Sequence, residues 1–120
     1  MKSFITVVIL FALLIALIIA NSIFVRSVFS KISNISTSII ENEHQLNQVD
    51  RILSLWSKSQ DLLILSIEAD EIERMNDLME SLYSACLCDN EEDIKKYCRL
   101  IKSLSDELIE YEKISFHSIF

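Results

Sequence analysis

Residues 4–20 read FITVVILFALLIALIIA, seventeen consecutive residues without a charge, and the architecture turns on them. The only polar side chain in the run is Thr6, whose hydroxyl can bond back to its own helix. After Asn21 and Ser22 the apolar character resumes with Ile23, Phe24 and Val25, just before Arg26. A helix rises about 1.5 Å per residue, so roughly 20 residues cross a hydrocarbon core about 30 Å thick. Residues 4–25 meet that length, with Asn21 and Ser22 near one interface and Arg26 placed to snorkel.

A cleaved signal peptide is the competing reading. Lys2 would be its charged n-region, but the apolar run exceeds the usual h-region of about 7–15 residues. A cut after Ala20 would also leave Ile18 where a small residue is preferred. The expectation is an uncleaved anchor over residues 1–27 that contacts the lipid bilayer through residues 4–25. Lys2 flanks the span on one side, Arg26 and Lys31 on the other, so the cations that set orientation nearly balance.

The whole chain has 120 residues and contains neither Gly nor Pro. Those two supply the left-handed positions and the helix stops of most turns and sheets, so their loss points to long helices with few connections. Net charge is −7, and beyond residue 30 there are nine Lys and Arg against eighteen Asp and Glu, or −9. An acidic domain lacks the electrostatic footprint of a nucleic-acid binder and is repelled by anionic headgroups. Roughly 90 residues outside the anchor make one modest core, too little for a deep catalytic cleft.

From Ile32 the apolar residues follow a 3-4 spacing: Ile32, Ile35, Ile39, Leu46, Val49, Leu53 and Trp56, with Asn42 the polar member of the seam. A single polar residue in such a seam can fix register or oligomeric state; Asn42 near an exposed end is the plainer reading. SKSQD at 57–61 is either a turn or the outer face of a continuing helix, and LLIL at 62–65 is apolar all round, as in a helix buried by several neighbours. A second stripe follows at Ile72, Met75, Met79, Leu82 and Cys86. Cys88-Asp89-Asn90 is the clearest break. Asp89 or Asn90 suits an N-cap, Glu91, Glu92 and Asp93 complement the positive end of the next helix, and Lys95, Lys96, Arg99 and Lys102 follow. The last stripe is Ile94, Tyr97, Ile101, Leu104, Leu108 and Tyr111.

The fold class is therefore all-α: an N-terminal transmembrane helix followed by an acidic domain over 28–120. Helices at about 28–56, 60–87 and 91–113 form an antiparallel hairpin or a three-helix bundle. The uncapped tail ISFHSIF at 114–120 is apolar and packs across the bundle or against lipid.

Little in the chain carries chemistry. Cys86, Cys88 and Cys98 are three thiols, an odd number that excludes a full disulfide framework. Either they are free, or Cys86 or Cys88 pairs with Cys98 and staples the hairpin. Residues i and i+2 of a helix point to different faces, so Cys86 and Cys88 make a poor metal clamp, and no His is near in sequence. The acids at 68–73 and 89–93 lack the central Gly of a calcium loop and read as solvated faces and a helix start. His44 and His117 have no Cys, Ser or Asp partner at a motif spacing. Trp56 is a core anchor or, with Asn42, a candidate partner contact; if buried, its indole N–H needs an acceptor. No catalytic residue, cofactor site or metal site is expected, and neither is an enzyme.

Three segments carry a resemblance: Trp56 some thirty residues past the span, LSIEADEIERMN at 65–76, and EKISFHSIF at 112–120. Together they resemble a family of small uncharacterised single-span membrane proteins of Gram-positive bacteria, classed as a domain of unknown function. Two positions depart from the family pattern: Ala69 stands where a His often precedes the Asp, and Ser118 where Asn usually precedes Ile-Phe. The resemblance implies a single-pass location and an extracytoplasmic helical domain, and no activity. The expected role is a membrane-anchored helical binding or assembly module in the cell envelope, acting as an oligomer or as an accessory subunit with a protein partner. The rivals are a spanin-like stalk, which requires a continuous helix from residue 4 to about 87, or about 120 Å, and a helical sensor supported only by its cysteines.

Overall fold

The computed structural model describes residues 1–41 and 46–119, excluding the side chains of Leu46 and of residues 115–119. The described chain is all-helical. It comprises α1 (Lys2–Glu41), α2 (Leu46–Leu63), α3 (Ala69–Leu87) and α4 (Glu91–Ile119). Each helix packs against its neighbours in the cycle α1–α2–α3–α4–α1, and among the described residues the backbones of the diagonal pairs stay farther apart. With short connections, successive helices alternate in direction, so α4 runs antiparallel to α1. The molecule measures 66 × 23 × 22 Å. Forty residues of α1 account for about 60 Å of that length by helical rise.

This corrects several expectations, among them the helix over 60–87, which is divided between the end of α2 and α3 by a turn. The helix over 28–56 does not exist as one piece: α1 ends at Glu41 and α2 begins at Leu46. A continuous stalk to residue 87 is excluded with it, because the second half of the chain folds back along α1. Nor is the anchor a separate element from the bundle. α1 runs unbroken from one into the other and supplies the fourth helix.

On α1 the buried positions Ser22, Val25, Phe29, Ile32, Ser36 and Ile39 alternate at 3 and 4, with Val28 and Ser33 beside them. This stripe begins at Ser22, inside the stretch assigned to lipid from composition. Before it, residues 1–20 are exposed, apart from half-buried Ile15 and Ile18. On α2 the stripe is Val49, Ile52, Trp56, Ser59 and Leu63. The seam thus passes through Ser36 and Ile52 where spacing alone picks Ile35 and Leu53, both only half-buried. On α3 the expected Ile72, Met75, Met79 and Leu82 are buried, joined by Ala85. On α4 Cys98 takes the inward position beside half-buried Tyr97, and Tyr111 is exposed. Burying each Leu, Ile, Met or Phe contributes about 1.5–3 kcal/mol, which makes this four-sided seam the main source of stability.

The connections follow from local chemistry. LLIL is not an all-round buried helix: α2 stops at Leu63, and Leu65, Ser66 and Ile67 N–H groups turn back onto the carbonyls of Leu62 and Leu63. Only Leu63 and Ile67 are buried there, while Leu62, Ile64 and Leu65 are exposed. At the other end Asp89 adopts the left-handed conformation at φ 53. Its N–H bonds to the Cys86 carbonyl and that of Asn90 to the Ala85 carbonyl, a Schellman-type ending. Glycine usually fills such a position; in a chain without glycine, Asp is among the residues that tolerate it. Asn90 then caps α4, its Oδ1 accepting the Asp93 N–H at 3.2 Å and its Nδ2 donating to Asp93 Oδ2 at 3.1 Å.

Candidate functional site

Three features of the bundle bear on function: its attachment to α1, a cationic groove, and the polar contacts that fix the helices against one another. The attachment lies where α1 leaves its exposed stretch. Ser66 Oγ, in the α2–α3 turn, donates to Asn21 Oδ1 at 2.8 Å. The buried stripe of α1 starts at the next residue, so the turn marks the base of the bundle.

The groove lies between α1 and α2 and encloses about 710 Å³. Lys31 comes from α1, Arg51 and Lys58 from α2, and Ile35 and Leu55 form an apolar floor; Asp50 is its one acid. Three of the nine cations beyond residue 30 thus gather in one place on a domain of charge −9. Arg51 Nη1 donates to Gln48 Oε1 at 3.1 Å, which holds its guanidinium along α2. Such a groove suits an acidic, partly apolar segment.

A third cluster sets the register of α4 on α1. Ser33 Oγ donates to Asp106 Oδ1 at 2.7 Å, and Lys102 Nζ to Asp106 Oδ2 at 2.9 Å. Partial burial by itself raises the Asp106 pKa. The hydrogen bonds from the Lys102 ammonium and the Ser33 hydroxyl outweigh that effect and hold the carboxyl below its ordinary value. The link between α2 and α3 is Trp56 Nε1–H to Asn76 Oδ1 at 2.7 Å, with the Phe29 ring 6.4 Å from the indole.

Trp56 is 4% exposed, so the structure places it in the core, where its ring has little area left for a partner. Asn42 and His44 lie outside the described residues, as does the side chain of His117. Cys86, Cys88 and Cys98 are free thiols, half-buried, exposed and buried in that order. Burial pushes the Cys98 thiol up to about 12, aided by the charge of Cys86. Cys86 is raised too, by burial first and then by Asp50 and Asp89. Neither is an activated nucleophile, since reactivity follows the thiolate. Among the described residues, no group of three or more His, Cys, Asp or Glu side chains is arranged to hold a metal ion.

The groove was missed in sequence because its cations are 20 and 27 residues apart, on two helices whose reversal the spacing conceals. Compared with protein-family models, curated proteins and solved structures, the chain matches none. The likeness to the small membrane proteins of Gram-positive bacteria therefore rests on its three short segments alone.

Proposed function

We propose that the protein is a single-pass membrane protein that holds a four-helix bundle against the bilayer as a binding and assembly module. One observation carries the reading: the first twenty residues of α1 are largely apolar, free of charge after Lys2 and exposed apart from half-buried Ile15 and Ile18, while the next twenty form the seam of a bundle. α1 is one helix long and apolar enough to cross a membrane. A soluble chain would bury such a surface, because contiguous exposed apolar patches beyond a few hundred Å² mark an interaction surface.

The binding half of the proposal is supported by the groove. Its three cations and apolar floor suit an acidic amphipathic segment of a protein partner or of a second copy. On the resemblance of its three short segments, we propose that the bundle lies outside the cytoplasm. No catalytic role and no nucleic-acid contact are proposed.

The test uses the full chain. After alkaline extraction it is expected in the membrane pellet. In mild detergent, cross-linking should capture a complex or oligomer, and the charge-reversed variant Lys31→Glu/Arg51→Glu/Lys58→Glu should lose it while keeping its helicity. Release into the alkaline supernatant would sink the anchor. A stable, partnerless monomer in mild detergent would sink the assembly role.

A further inference from the structure

The base of the bundle is free of charge on every segment that reaches it. On α1 no charged side chain occurs between Lys2 and Arg26. In the α2–α3 connection the charges stop at Asp61 and resume at Glu68. On α4 they stop at Lys113, leaving ISFHSIF. These gaps lie at one level. The Ser66–Asn21 hydrogen bond sets the turn beside the start of the bundle. The Ser33–Asp106 bond sets the register of α4; because α4 is antiparallel, eight residues further on Ile114 lies level with Val25, and the end of α4 with Ala20. The opposite end of the bundle carries Asp89, Glu91, Glu92 and Asp93.

At that base Leu62, Ile64 and Leu65 are 56%, 54% and 83% exposed, on a turn that a soluble bundle would make polar. Ile23 and Ile114 are also exposed, at 55% and 64%. The length of the span supplies the second argument. Since Ser22 and Val25 are buried in protein, lipid is left with residues 4–21, about 27 Å by helical rise against a hydrocarbon core of about 30 Å. A span shorter than the bilayer is accommodated by local thinning, which brings the headgroup layer close to the flanking protein.

We infer that the α2–α3 turn, through Leu62, Ile64 and Leu65, is a second membrane contact that seats the base of the bundle in the interfacial layer beside α1. The occupant of this apolar surface is the bilayer that α1 crosses. The inference rests on the membrane reading above and adds to it: the bundle is held at two points, so it sits on the surface and does not sway above it. Phosphatidylcholine is the fitting lipid, since Glu68 and Glu71 stand just above the turn and disfavour anionic headgroups.

Bromine quenching of tryptophan in phosphatidylcholine vesicles tests this on the full chain. The parent contains only Trp56, buried in the bundle, which sets the baseline. Three variants at exposed positions each add one reporter: Leu13→Trp in the span, Leu65→Trp in the turn and Tyr83→Trp near the far end. Leu13→Trp should be quenched by lipid brominated near the bilayer centre. Leu65→Trp should be quenched roughly twofold by lipid brominated just below the headgroups, the depth at which interfacial apolar faces sit. Tyr83→Trp should be unaffected. If Leu13→Trp is quenched and Leu65→Trp behaves like Tyr83→Trp, the second contact is overturned and the anchor stands. If Leu13→Trp is not quenched, the anchor itself fails and this inference falls with it.

Discussion

Replacing Asn76 with Ala removes the acceptor that the Trp56 indole uses at 2.7 Å. The indole is 4% exposed, but Asn76 is half-buried beside an open pocket, so water can reach the vacated place in part. Leaving a buried donor unsatisfied costs about 1–3 kcal/mol, and with Asn76 half-buried the lower part of that range, about 1–2 kcal/mol, applies. For a domain of this size, each kcal/mol moves the midpoint by roughly 4–8 °C, so Asn76→Ala should melt roughly 5–15 °C below the parent. The comparison that isolates the bond is a double-mutant cycle with Trp56→Phe, which removes the N–H together with part of the ring. With no donor left to strand, Asn76→Ala should be nearly neutral in the Trp56→Phe background, giving a coupling of about 1–2 kcal/mol. Asn76→Asp keeps an oxygen at the same place and should lose less than Asn76→Ala. The assay is thermal or urea unfolding of the full chain in mild detergent, followed by helical circular dichroism. Equal losses in the two backgrounds would refute the claim that this bond joins α2 to α3, even if each variant were unstable.

Three further outcomes follow from the same packing. Phe29→Ala empties a fully buried site beside Trp56 and should destabilise the same melt by about 3–5 kcal/mol; a loss below about 1 kcal/mol would mean that the α1 seam is not closed. Cys98 makes stability depend on alkaline pH. Its folded pKa, about 12, lies above the ordinary value of 9.0, so the folded state holds the thiol proton more tightly than the unfolded chain does. The resulting stabilisation is complete below pH 9.0 and is lost as pH rises toward about 12. Cys98→Ala should therefore flatten the stability profile over that window, and parallel profiles for the two chains would show that the thiol is not buried. Cys88, the exposed thiol at the end of the bundle farthest from the span, is the reporter of sidedness. A membrane-impermeant maleimide should label it in intact cells, with Cys98 silent until denaturation; labelling only after permeabilisation would place the bundle in the cytoplasm.

The parts legible in the sequence are those where composition and geometry say the same thing. The long apolar helix at the N-terminus needs only length and the absence of charge. The α3–α4 hairpin announces itself because Asp89 and Asn90 break the stripe just where acids begin and bases follow, and the structure assigns Asp89 to the end of α3 and Asn90 to the cap of α4. The α1–α2 reversal had no such marker. Ile32, Ile35, Ile39, Asn42, Leu46, Val49, Leu53 and Trp56 keep 3-4 spacing through residues 42–45, and a period alone does not distinguish one helix from two. Serine concealed the rest. Ser22, Ser33 and Ser36 on α1, Ser59 on α2 and Ser105 on α4 are all buried, whereas hydrophobicity alone turns serine outward. Their small side chains let helices approach, and Ser33 converts one of these positions into a hydrogen bond to Asp106. The need of Trp56 for an acceptor could be read from its place in the seam. The identity of that acceptor, twenty residues away on another helix, could not.

That α1 is unbroken matters to any mode of action. In most anchored domains a linker separates the span from the folded part, so the two reorient independently. Here Asn21 ends the exposed stretch and Ser22 begins the buried one, with no residue between them to act as a hinge. The backbone hydrogen bonds of α1 therefore carry tilt and rotation directly from one half to the other. From residue 21 to residue 41 the helix rises about 30 Å, so a 10° tilt of the span displaces the far end of the bundle by about 5 Å. Lys31 lies about halfway along this lever, and with it the groove. A partner bound in that groove would thus be held at a height and azimuth set by the span, and its own pull would return to the span as torque. If the apolar turn is seated in the interfacial layer as inferred above, it would oppose such motion, because tilting away would lift Leu62, Ile64 and Leu65 into water. Because α1 is unbroken, its apolar half and the groove are mechanically one unit, which, on the function proposed above, favours a module that fixes a partner in place over one that reaches for it.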